Sequence, residues 1–187
     1  MATNKITDPD VRIFAALAAD KESEYADDDV MWDGSPFRWI KTRPSRQIGS
    51  IAEALVSGWC ATRGFDVVRS PGSDADRIVN GHRIEIKFST LWTDNLIYKF
   101  QQIRDQNYDF CFCIGVSPFD AQAWLIPKLE LRTSRPPSLV PQHGGAVGRD
   151  PKWLSFVAAS PPAWLEPFGG RLGDVAKLLK AAGQGRY

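Results

Sequence analysis

The chain has 187 residues, 43% hydrophobic and 24% charged, enough for one globular domain that buries a core without staples. Three cysteines rule out a disulfide framework, two histidines leave no zinc ligand set, and no apolar run reaches the roughly 18 residues of a membrane span. The net charge of +1 conceals a split: residues 1–35 hold nine acids and three bases, the remainder 13 acids and 20 bases. An acidic leader on a basic body suits a polyanionic partner, and equally a solvated Lys/Arg-rich surface. With no signal-peptide pattern at the N-terminus, the expected setting is intracellular, with no membrane partner.

In chain order, Asp10 is a candidate N-cap for a helix carrying Val11, Phe14, Ala15, Leu17 and Ala18. Asp27, Asp28 and Asp29 read as a solvated run, and Trp32 to Pro44 as an ordered basic connection. Ser45 is positioned to cap a second helix reaching Arg63, with Ile48, Ile51, Ala52, Leu55, Val56 and Trp59 as its stripe and Gly64 as its stop. A short strand is expected over Phe65–Arg69, then a turn at Ser70-Pro71-Gly72-Ser73. Asn80-Gly81 lies between two β-rich runs and predicts a hairpin with a two-residue type I′ loop. The spacing of Leu96, Ile97, Phe100 and Ile103 predicts a helix over 96–106. Phe110–Val116 reads as a buried central strand holding Cys111 and Cys113 as buried thiols, and Ala121–Ile126 as a further strand. Residues 129–151 read as a long loop, Trp153–Ala158 as a short strand, and Asp174 onward as a terminal helix ending at Gly183. The organisation expected is an acidic helical extension with a basic arm (1–44), a core (45–127) and a C-terminal extension (128–187).

The hairpin carries the chemistry. With Asn80-Gly81 as the loop, Val79 faces His82, and the same register carried outward sets Asp76 opposite Glu85 and Asp74 opposite Lys87. Directly opposed residues have Cβ atoms about 4.5–5.5 Å apart. Period-two alternation puts Glu85 and Lys87 on one face and Ile84 and Ile86 on the other. Two opposed carboxylates repel unless one is protonated or a cation lies between them, and Mg²⁺ accepts such oxygen ligands. An ion-pair face at the surface is the plainer alternative. A sheet covered on both sides disfavours it, since unpaired buried carboxylates are costly.

Asp76, then Glu85-Ile86-Lys87, preceded by a helix with Glu53 and by the Pro71-Gly72-Ser73 turn, resembles the PD-(D/E)XK nuclease superfamily. The element order over about residues 45–127 is similar to that family's αβββαβ core, a mixed sheet flanked by helices. Ala75 stands where the family often has proline. The resemblance implies that Asp76 and Glu85 ligate Mg²⁺ with the Ile86 carbonyl, that Lys87 places the attacking water, and that Glu53 supports the site from its helix. Asp74 is the alternative ligand, and Asp76 is preferred because it faces Glu85.

The extensions at both ends make the chain similar to a type II restriction endonuclease. That implies a cytoplasmic, prokaryotic enzyme that cuts double-stranded DNA as a homodimer. Candidate DNA contacts are Arg38, Lys41, Arg43 and Arg46 around Trp39, Ser73 and Asp74 in the turn, and Lys99, Gln101, Gln102 and Arg104 after the Glu-x-Lys strand. Gln142 and His143, beside the Gly144-Gly145 pair, complete the set. The enzymatic alternative is a structure- or mismatch-directed nuclease on the same core. The non-enzymatic one is a DNA-binding domain without catalysis.

Overall fold

A computed structural model describes residues 8–25, 30–132, 139–141 and 152–185. Helix α1 spans Pro9–Tyr25, α2 Arg38–Lys41 and α3 Ser45–Thr62. Strands β1 (Val67–Arg69), β2 (Arg77–Val79) and β3 (His82–Thr90) follow, then β4 (Ile97–Ile103), β5 (Phe110–Val116) and β6 (Ala121–Pro127). Beyond them lie α4 (Lys128–Arg132), β7 (Leu139–Pro141), β8 (Lys152–Val157), a 3₁₀ turn at Ala163–Phe168 and α5 (Leu172–Gly183).

The protein is mixed α/β, with a central mixed sheet flanked by helices. That sheet has the order β1-β2-β3-β5-β6, antiparallel except for the parallel pair β3–β5. A second sheet, β4-β8-β7, is antiparallel. One face of the central sheet packs on α3 and α5: Ala52, Val56 and Cys60, spaced four apart, meet Val175, Leu179 and Ala182 over Ile84, Ile86, Phe112, Ile114 and Leu125. The other face carries Cys111, Cys113, Trp124 and Ile126 under Tyr98, Phe100, Leu154 and Phe156 of the second sheet, with Trp32 and Leu165 closing the cluster. A Cβ on Gly115 would come within 2.7 Å of the Tyr98 ring, so glycine at that point lets the two sheets meet.

The segment 96–106 corrects the sequence reading: it is a strand of the second sheet, not a helix. Tyr98, Phe100 and Ile103 are its buried residues, and the register shifts between Phe100 and Ile103, with Gln102 at φ +55°. That bulge stretches a spacing of two into a spacing of three and so imitates helical periodicity. The parallel crossover from β3 to β5 thus runs through a strand on the opposite face. Residues 129–151 are not one loop, since α4 and β7 fall within them.

The helix starts differ as well. The Asp8 carboxylate, not Asp10, accepts the N–H groups of Asp10 (2.8 Å) and Val11 (3.1 Å) at the start of α1. Pro44 rather than Ser45 precedes the first turn of α3. The apolar residues of α1 stay outside the core: Val11, Ile13, Phe14 and Leu17 are all exposed. Gly64 (φ +78°) ends α3 as expected, and Asn80 and Gly81 both have the positive φ (+49° and +84°) that a type I′ loop needs. Among the described residues, no helix is long and apolar enough to cross a membrane.

Candidate active site

The hairpin register is the one its loop dictates: Val79 pairs His82, Ile78 pairs Arg83 and Arg77 pairs Ile84. The ladder stops there, and Asp76 is the first residue beyond it. Its N–H donates to the Ile84 carbonyl (3.0 Å), and its Oδ2 accepts the Ile86 N–H at 2.7 Å. Within a strand, the N–H and C=O of one residue leave on the same side. The Ile86 carbonyl therefore leaves β3 on the side where Asp76 lies. Asp74 sits further out in the turn, exposed, and the pairing does not extend to bring it opposite Lys87.

Glu85 and Lys87 project from β3 toward the second sheet, beside Cys111 and Cys113 of β5. Glu85 is one of two buried polar residues among those described, at 6% exposure, and its Oε1 meets Lys87 Nζ at 2.7 Å. Burial pushes the Glu85 carboxyl up. Lys87 pulls it down by less, and the neighbouring Asp76 charge adds to the rise. For Lys87 burial alone would lower the ammonium, but the Glu85 carboxylate reverses this and the net direction is upward. The two cysteines face each other (Sγ to Sγ 3.7 Å), and Cys111 is held strongly as a thiol by that contact and by burial. Cys111 therefore offers no thiolate to a metal.

Glu53 is elsewhere. Its Oε2 pairs with Arg77 at 2.9 Å on the helix-covered face, and Arg77 Nε donates to Ser57 Oγ (2.8 Å). The same guanidinium donates to the Asp76 carbonyl at 2.7 Å. Arg77 was not singled out from the sequence. Its position next to Asp76, with alternation turning it toward α3, is the signal that was available.

The donor set suits a hard divalent cation. Asp76 and Glu85 supply two carboxylates whose charges feel one another, and the Ile86 carbonyl leaves on their side. Among the described residues, no group of three or more His, Cys, Asp or Glu gathers as a metal cage. Two carboxylates with the remaining positions left to water and phosphate oxygens is the pattern of Mg²⁺ rather than of Zn²⁺.

The candidate DNA contacts divide. Arg104 is exposed just past β4, and its charge reaches Glu85. Gln101 and Gln102 are exposed at the β4 bulge, where Gln102 Oε1 lies 3.5 Å from Arg104. Lys99 is taken up between Trp92 and Trp153, 4.9 and 3.9 Å from their ring centroids. The Ser73 carbonyl accepts Gln106 Nε2 (2.9 Å), which ties the turn before Asp76 to the chain after β4. Arg38 pairs with Asp33 at 2.5 Å, Lys41 lies over buried Trp32, Arg43 lies over exposed Trp39, and Arg46 is exposed. Gln142 and His143 lie outside the described residues, as do Asp27, Asp28 and Asp29.

No protein-family model matches the chain, and no curated protein matches it in sequence. Its fold, a mixed sheet with helices on one face and a small second sheet on the other, does have a solved counterpart. The structure of a bacterial homing endonuclease, I-Ssp6803I, superposes with a TM-score of 0.52 over 77% of this chain and 97% of that one, at 12% identity. At that identity the likeness is one of fold.

Proposed function

We propose that this protein is a Mg²⁺-dependent endonuclease acting on double-stranded DNA, and specifically a site-specific enzyme of the type II restriction kind working as a homodimer. One observation carries the reading: a buried Glu85–Lys87 pair stands beside an Asp76 carboxylate fixed by the Ile86 N–H. That set lies on a fold similar to a DNA-cutting enzyme's. A plain surface ion pair does not require a buried glutamate, and keeping one costs desolvation that function would explain.

In this reading Asp76, Glu85 and the Ile86 carbonyl hold the ion. Bound there, Mg²⁺ supplies Lewis-acid polarisation of a phosphate oxygen and relief of negative charge. Lys87, kept charged by Glu85, orients a water in line with the phosphorus and offsets charge developing on the equatorial oxygens. Arg104 adds positive potential on the approach to the acid pair. Two cuts on opposite strands follow most simply from two copies related by a two-fold axis.

The test is incubation of the protein with mixed plasmid and phage DNA, with and without Mg²⁺, followed by sequencing of the ends. Discrete, recurring ends that need Mg²⁺ are expected, and their pattern gives the target and the stagger. Ends at mismatches or junctions would shift the assignment to a repair nuclease. Binding without cleavage of any DNA would make the protein a DNA-binding domain.

A further inference from the structure

Asp76 stands one residue beyond the point where strand pairing stops, yet its peptide is held on every side. Its N–H goes to the Ile84 carbonyl at 3.0 Å, its carboxylate takes the Ile86 N–H at 2.7 Å, and its carbonyl accepts from Arg77 Nη1 at 2.7 Å. The first two bonds tie Asp76 to β3. The third ties it to α3, because the same guanidinium reaches Glu53 Oε2 (2.9 Å) and Ser57 Oγ (2.8 Å). Arg77 points to the helix face, away from Glu85 and Lys87, and it reaches their side of the sheet through the Asp76 backbone it holds.

We infer that Arg77 is a positioning residue: anchored by Glu53 and Ser57, it fixes the Asp76 peptide so that the carboxylate is aimed at Glu85. The inference rests on the reading of Asp76 and Glu85 as the cation site. It gives Glu53 a role distinct from ligation. Glu53 is the counter-ion that keeps the Arg77 fork in place, and its effect on the site passes through Arg77. A guanidinium has the planar set of five N–H donors that three partners in different directions require, and an ammonium on a flexible stem does not. Losing a group that orients a metal ligand costs about 10–100-fold in metal affinity.

The experiment compares full-length wild type, Arg77→Met, Arg77→Lys, Glu53→Gln and the Arg77→Met/Glu53→Gln double variant. Three readouts are taken: hydrogen exchange of the Ile86 amide relative to the Cys111 amide of β5, Mn²⁺ affinity by calorimetry, and the Mg²⁺ concentration for half-maximal cleavage. Arg77→Met is expected to speed Ile86 exchange at least about tenfold against that reference. It should also weaken Mn²⁺ binding about 10–100-fold and raise the Mg²⁺ requirement in parallel, with kcat at saturating Mg²⁺ falling far less. Arg77→Lys should fall between, and it carries the test if Arg77→Met does not fold. In the Arg77→Met background Glu53→Gln should add nothing. A separate, additive loss would make Glu53 a ligand and overturn the counter-ion role. Unchanged Ile86 exchange and Mn²⁺ affinity in both Arg77 variants would overturn the inference. A wild type that neither binds Mn²⁺ nor cuts DNA would defeat the nuclease reading instead, while Ile86 exchange would still decide whether Arg77 positions Asp76.

Discussion

The two faces of strand β3 differ in what they can lose. On the helix side, Ile84 and Ile86 are packed among Ala52, Val56, Phe112 and Leu179 in an entirely apolar cluster. On the side of the second sheet, Glu85 and Lys87 sit one residue away along the same backbone, among thiols and aromatic rings. Alternation along one strand thus separates apolar packing from a buried ion pair at single-residue resolution. The helix side is built to be filled, whereas the other side keeps a charge buried at a cost that packing does not recover.

The largest effect expected is on the charged side. Lys87→Ala or Glu85→Ala should reduce DNA cleavage by about 10²–10³-fold or more. Lys87→Ala should in addition destabilise by about 3–5 kcal/mol, since it leaves Glu85 buried without its partner. Cleavage at an unchanged rate in either variant would remove these residues from the site. Ile86→Ala, the residue between them, tests the other face. It should cost about 2–5 kcal/mol in denaturant unfolding while cleavage below its melting range stays within a few-fold of wild type. If Ile86→Ala lost activity as completely as Lys87→Ala at a temperature where it is folded, the two faces would not be separable.

A smaller effect concerns pH. Because burial raises the Glu85 carboxyl in the free protein, kcat/KM should fall with acidity through a limb lying above the ordinary glutamate range near 4.3. Raising Mg²⁺ should move that limb downward, since a bound cation favours the carboxylate. A limb at the ordinary range and insensitive to Mg²⁺ would mean that Glu85 does not have to ionise.

The smallest effect lies at the start of β5. Burial alone would raise the Asp109 carboxyl, but Arg83 outweighs it through two contacts at 2.8 Å, and the net direction is downward. A carboxyl lowered in the folded state stabilises above its unfolded pKa and loses that contribution as pH falls through the folded value. Asp109→Asn should therefore lower Tm slightly at neutral pH, by less than Ile86→Ala, and the gap to wild type should close below about pH 4. A gap that persists at low pH would assign the effect to packing.

How much was legible from sequence follows the range of the forces involved. Asn80-Gly81 fixed a loop type, the loop fixed the register, and the register set Asp76 beside Glu85, since each of these steps is local. Helices α3 and α5 announced themselves through the spacing of their apolar residues, and strand β5 through a continuous apolar run that is buried on both faces. Strand β4 did not, because its bulge between Phe100 and Ile103 spaced the buried residues as a helix would. The composition around Ile97, Tyr98 and Ile103 was the available counter-signal. Glu53 was linked to the site by family resemblance, but the intermediary Arg77 became visible only once α3 was laid across β2. Side-chain forks between elements have no fixed spacing in sequence.

Strand β8 has a consequence for the order in which the protein is assembled. Every member of the acid pair and its lysine is synthesised by residue 87, and the central sheet is finished with β6 at Pro127. Strand β4, which closes over that face, has its pairing partner in β8, at Lys152–Val157. A ribosome-bound chain holding residues 1–127 thus already has Asp76, Glu85 and Lys87 but leaves the cover over Cys111, Cys113 and Trp124 unpaired at its edge. Long-range pairing of this kind is slow and keeps sticky surface open until it forms. Asp76, Glu85 and Lys87 come early in the chain, and the strand that completes the cover over their face comes late.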